Sequence, residues 1–127
     1  MNEELEEFLL HFVEYLNQVG ERGFAVVVEG KRDKQALERL GVHVPILTKA
    51  SCGSMGTLLE QLLHYRGFIP LFDLDSEGQR LTRQLCGLAS KRGIRAELGP
   101  RSMLLDRAKH LPATIQGLQR LGPRGRL

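Results

Sequence analysis

Short apolar runs alternate with helical repeats along most of this chain, and that alternation restricts the folds open to it. "FAVVVEG", residues 24–30, is a continuous β-branched run, the pattern of a strand buried on both faces in a parallel sheet. "KRDKQALERLG" (31–41) reads as a short helix closed by Gly41, "VPILT" (44–48) as a second strand and "FIPLFD" (68–73) as a third. "IRAEL" (94–98) supplies a fourth. "KASCGSMG" (49–56) is a glycine and serine loop. After it, Met55, Leu58, Leu59, Leu62 and Leu63 mark a helix stopped by Gly67, and Leu81, Leu85 and Leu88 mark another from about Ser76 to Lys91. Strand–helix–strand units imply right-handed crossovers, hence an α/β fold with a four-stranded parallel sheet flanked by helices.

The flanks add helices at both ends. Leu5, Phe8, Leu9, Phe12, Val13 and Leu16 recur at helical spacing, so residues 3–18 form an amphipathic helix, with Asn2 as its cap and Glu3 and Glu4 in its first turn. That helix either covers a sheet face or forms a dimer contact. The tail "SMLLDRAKHL" (102–111) reads as helical up to Pro112, a weaker helix follows through Ile115, Leu118 and Leu121, and "GPRGRL" (122–127) reads as frayed. With 127 residues the chain is expected to be one domain: an N-terminal helix (1–22), an α/β core (23–98) and a helical, basic tail (99–127).

Composition narrows the class. A 42% hydrophobic and 26% charged balance is ordinary for a soluble globular protein, and the longest apolar runs are strand-length, so no membrane partner is expected. The acidic opening "MNEELEEFLLHFVEYL" is neither a secretory signal nor a transit peptide. Cys52 and Cys86 lack metal-ligand spacing and make no disulfide framework, which makes a reducing, cytoplasmic setting the expectation. The net charge is +3, unevenly spread: six glutamates precede residue 22, whereas the tail from Arg101 onward is rich in arginine. Such a basic body is compatible with a polyanionic partner, though charge alone favours the blander reading of a solvated surface.

Parallel topology also says where chemistry can lie, because every strand ends on one edge and ligands bind there. Glu29 ends the first strand, and Asp73 and Asp75 follow the third in "PLFDLDSEG". If the first and third strands are neighbours, the three carboxylates converge with no lysine fixed among the aspartates to neutralise them. A divalent hard cation resolves such a cluster; Mg²⁺ takes one or two carboxylates and leaves the rest of its shell to water and phosphate. Gly78 would let the backbone pass closely, and the helix that follows would welcome a phosphate. The plainer reading is that Asp75 or Ser76 caps that helix. Asp33 is expected to cap the second helix. Lys31 and Lys49 either contact phosphate or are solvated. His43, His64 and His110 have no partners at ligand spacing, and His11 lies in the first helix beside its apolar face, so all four read as packing or surface residues.

"VVVEGKRD" followed by "PLFDLDSEG", each closing a hydrophobic strand, resembles the Toprim domain. That family includes the catalytic domains of topoisomerases and bacterial primases, OLD-type nucleases and a ribonuclease that matures ribosomal RNA. Glu29 matches its glutamate, in the form EGxxD with Gly30 and Asp33, and Asp73 and Asp75 match its DxD, with Gly78 following. The resemblance covers residues 23–98 and implies Mg²⁺, or Mn²⁺ in its place, held by Asp73 and Asp75 with Glu29 as a further ligand and general acid or base. Lys31, Lys49, Gly30 and Gly78 would then contact substrate phosphate, with Asp33 in support. The implied function is Mg²⁺-dependent phosphoryl transfer on nucleic acid, as a nuclease acting on RNA or DNA. The alternative is a non-catalytic nucleic-acid- or nucleotide-binding module of a larger assembly, or of a homodimer. Nothing marks Tyr15 or Tyr65 as a topoisomerase nucleophile. A haloacid-dehalogenase-type phosphatase fits poorly, because its aspartate follows the first strand.

Overall fold

Two apolar cores lie on opposite faces of the sheet in the computed structural model, which describes residues 3–122. The sheet is four-stranded and wholly parallel: β1 Phe24–Val28, β2 Ile46–Thr48, β3 Gly67–Pro70 and β4 Arg95–Ala96, in the order β2-β1-β3-β4. All five β1 residues are buried, as a doubly covered central strand requires. Their side chains alternate between the cores: Phe24, Val26 and Val28 on one face, Ala25 and Val27 on the other.

The first core is closed by α1 (Glu3–Glu21), α2 (Lys31–Leu40) and α6 (Gly99–Leu105). Phe8, Leu9, Phe12, Val13 and Leu16 of α1 are buried there, so this helix covers a sheet face. The second core is closed by α4 (Met55–Leu62) and α5 (Ser76–Lys91), through Leu58, Leu62, Leu81 and Leu85. Gly41 ends α2 in the left-handed region at φ 108°, where a Cβ is strained.

Several boundaries differ from the sequence expectation. Part of the expected loop after β2 is a short helix, α3 (Lys49–Cys52), whose first turn is capped by the Thr48 hydroxyl accepting from Ser51 N–H. The ladder of β3 stops at Pro70, so Asp73 lies beyond the strand; Leu71 N–H still reaches Val27 C=O at 2.8 Å. Beyond the ladder, the Phe72 and Asp73 carbonyls accept from Arg101. Only two residues of "IRAEL" pair as β4. The tail helix ends at Leu105, and two 3₁₀ turns follow, η1 (Ala108–His110) and η2 (Gln116–Leu121), the second packed against α2. The expected cap Asn2 and the end of "GPRGRL" lie outside the described residues.

A candidate acidic site at the sheet's carboxyl edge

The order β2-β1-β3-β4 places the topological switch point between β1 and β3, where connections leave toward opposite faces and where sheets of this kind form a ligand crevice at the carboxyl ends. Register runs from Phe24 opposite Gly67 to Val27 opposite Pro70. Glu29 therefore follows β1, and Asp73 follows β3, on the two sides of that crevice. The Glu29 side chain is exposed, and its backbone carbonyl accepts from Ala50 N–H at 2.9 Å, tying α3 to this edge.

The two aspartates have separate local roles. Asp75 is the N-cap of α5, its Oδ1 accepting from Gly78 N–H at 2.8 Å, which saturates one of the helix's orphan donors. Asp73 is half-buried, and its Oδ1 accepts from Ile115 N–H at 2.8 Å. Leu74 N–H donates to Ala113 C=O at 2.6 Å beside it. Gly78 is buried in the first turn of α5, and a Cβ there would overlap the Asp73 carbonyl oxygen. Its role is close approach between helix and loop.

Asp33 sits at the third position of α2, and its carboxylate accepts from Gly30 N–H at 3.1 Å. The N-cap residue is Gly30, and Asp33 caps the helix from its third position by reaching back to the Gly30 amide. Burial raises the Asp33 carboxyl above the ordinary aspartate value, with the nearby Asp73 charge acting in the same direction; backbone bonds from Gly30 and Gln116 oppose the rise. Asp33 and Asp73, from opposite sides of the crevice, therefore feel one another.

Charge compensation comes from a residue that sequence reading missed. Arg101 on α6 is 3% exposed. Its guanidinium donates to the Phe72 carbonyl, to the Asp73 carbonyl at 2.9 Å and to Gln79 Oε1 at 3.5 Å. Its Nε has no partner among the described residues. Burial lowers the Arg101 guanidinium from its ordinary value, and the Asp73 and Asp75 charges oppose that shift. A buried cation thus lies beneath the "DLD" loop. Its only sequence signal is that it is an arginine just inside a proline-led helix, and that does not point to a loop far away in sequence.

On the outer side, Lys31 opens α2 and is exposed, while Lys49 opens α3. Lys49 lies close enough to Glu77 to help lower that carboxyl, whose main lowering contact is the hydrogen bond from Arg80. Arg101 thus faces Asp73 and Asp75, Asp33 approaches Asp73 from α2, and Glu29, Lys31 and Lys49 lie on the same edge at the start of the β1 and β2 connections. Among the described residues, no group of three or more His, Cys, Asp or Glu side chains is arranged to hold a metal by itself. His43 is engaged elsewhere, Nε2 to Glu21 at 2.7 Å on the surface. Cys52 and Cys86 are free thiols.

No family model matches the chain, and no curated protein is similar to it in sequence. A solved structure of an Aquifex aeolicus protein has a similar fold, with a TM-score of 0.73 at 23% identity, covering 84% of this chain and 94% of the other. At that identity the likeness establishes the shared fold. No helix among the described residues is long and apolar enough to cross a membrane.

Proposed function

We propose that this chain is a Mg²⁺-dependent nuclease of Toprim type acting on RNA or DNA. The observation that carries the reading is the parallel pairing of β1 with β3, which sets Glu29 and the Asp73–Asp75 pair on the two sides of one switch-point crevice.

The donor set suits a hard cation. Asp73 and Asp75 each give one oxygen to a backbone amide, and a carboxylate so engaged retains lone pairs. Asp73 and Asp75, with Glu29 as a further ligand, would match Mg²⁺, or Mn²⁺ in its place, because Mg²⁺ usually keeps several waters and takes substrate phosphate oxygens as ligands. When bound, such a cation would neutralise charge on the phosphoryl group under attack. The protein's own part is positional. Ile115 and Gly78 amides orient the two carboxylates, and Arg101 holds the loop that carries them. Glu29, exposed on the same edge, would move the proton to or from the attacking or leaving oxygen. Lys31 and Lys49 would meet neighbouring phosphates, and Asp33 would support the crevice from the α2 side.

A second reading has its own observation. Asp75 is fully explained as a helix cap, and no three-ligand cluster forms among the described residues, which favours a non-catalytic nucleic-acid- or nucleotide-binding module of a larger assembly or homodimer. Cleavage of labelled structured RNA, single-stranded DNA and duplex DNA with Mg²⁺ or Mn²⁺ separates the two readings. The nuclease reading expects turnover in the wild type that vanishes in Glu29→Gln and Asp73→Asn. Binding without turnover, in folded protein, gives the module.

A further inference from the structure

A polyanion approaching this edge meets Glu29, Asp33, Asp73 and Asp75, and their repulsion has to be offset nearby. A groove of about 640 Å³ lies beside β2, lined by Lys31, Lys34, Thr48, Ser51, Cys52 and Gln61 among others. Among the described residues β2 pairs only with β1, so the groove lies at the sheet's edge strand. One end is fixed to the acidic crevice, since Ala50 in its wall donates to the Glu29 carbonyl at 2.9 Å.

The lining carries two ammonium groups and no carboxylate. Lys31 and Lys34 are three positions apart on α2 and so share one face of that helix. Neither makes an ion pair among the described residues, whose ion pairs are His43–Glu21 and Arg80–Glu77. Two unneutralised lysines in a concave wall attract phosphate, one charge each. The lining also lacks any aromatic ring. The five phenylalanines are buried, and the half-buried Tyr15 and Tyr65 lie outside the groove, so the groove offers no phenylalanine or tyrosine platform for an unstacked base. Proteins that hold single strands use such platforms. Phosphate contact without stacking suits a strand whose bases are already paired.

We infer that this groove is a phosphate-backbone track for a base-paired stem, with Lys31 and Lys34 contacting one strand as it leads to the acidic crevice. The inference deepens the nuclease reading and rests on it for the direction of the strand, but its test reads binding alone.

The full chain is titrated with a labelled RNA hairpin, a DNA duplex of matching sequence and the corresponding single strands. Ca²⁺ replaces Mg²⁺, and the salt concentration is varied. Stems should bind more tightly than single strands, and the RNA and DNA arms decide which stem is preferred. Lys34→Gln should make the log–log salt slope shallower by about 0.9, and Lys31→Gln with Lys34→Gln by about 1.8. Arg39→Gln, on α2 but outside the groove lining, should leave the slope unchanged. Circular dichroism confirms that the variants are folded. An unmoved slope in the lysine variants, an equal change in Arg39→Gln, single strands bound as tightly as stems, or no salt-dependent binding at all would each overturn the track. Cleavage assays with Mg²⁺ separate this from the nuclease reading: lysine-dependent stem binding without turnover removes the nuclease and leaves the track, and turnover with unmoved slopes does the reverse.

Discussion

The backbone N–H of Ile115 donates to Asp73 Oδ1 at 2.8 Å, across 42 positions of sequence. With Leu74 N–H bonded to Ala113 C=O, the segment before η2 clasps the loop that carries Asp73. Ile115 has φ −61°, a value proline adopts, so Ile115→Pro removes the donor with little backbone strain at that residue. Ile115→Ala keeps the donor and also loses the buried side chain, which serves as the packing control. The proline variant should be less stable than the alanine variant by about 1.5–3 kcal/mol, the range for a hydrogen bond to a charged group. Urea denaturation of the two measures it, and equal stabilities would mean the clasp does not hold Asp73.

Gly78→Ala should be among the most damaging single-methyl changes in the chain. The added Cβ meets backbone of Asp73, which cannot swing aside as a side chain would. A loss on the order of 3 kcal/mol or more is expected, from overpacking and displaced backbone together. Thermal melting gives the size, and a variant melting like the wild type would show that α5 and the loop are less closely fixed.

Arg101→Met should destabilise by stranding carbonyls. Phe72 is buried, and without the guanidinium its carbonyl, and that of Asp73, lose a charged donor. Each stranded group costs about 1–3 kcal/mol. Arg101→Lys should recover only part of that, because a single ammonium cannot span both carbonyls as the planar fork does. Denaturant midpoints of the three proteins should rank wild type, lysine, methionine; a methionine variant as stable as wild type would refute the role.

The raised Asp33 carboxyl makes a pH prediction whose sign follows from proton counting. With the folded value above the unfolded one, the folded state holds the extra proton between the two. The associated stability is complete below the unfolded value and is lost as pH rises through the folded one. Ionising Asp33 as the pH rises therefore costs stability that Asp33→Asn avoids, while an asparagine oxygen can still accept from Gly30 N–H. Unfolding free energies of the two proteins, measured from acid to neutral pH, should diverge in favour of Asp33→Asn as pH rises. A gap that narrows instead would reverse the assignment.

Much of the frame was legible in residue patterns, for reasons local to each element. The β-branched run of β1 and the leucine spacing of α5 report burial directly, and α5 spans the expected Ser76–Lys91. The cap by Asp75 was also readable, because an aspartate three residues before its partner amide is a contact within one turn. Strand lengths were less readable. β3 stops at Pro70, and the Phe72 and Asp73 carbonyls beyond it bond to Arg101, a donor from α6 that no local pattern announces.

The sequence by itself determined the alternation of elements, the parallel sheet and the edge at which Glu29, Asp73 and Asp75 emerge, because periodicity and crossover handedness are properties of neighbouring residues. Only the tertiary structure decided what surrounds those carboxylates. The Arg101 cation beneath them, the Ile115 amide on Asp73, the approach of Asp33 and the groove holding Lys31 and Lys34 all join residues from separate elements. Those contacts depend on how helices settle on a twisted sheet. That is set by the packing of two whole cores, and no stretch of neighbouring residues encodes it.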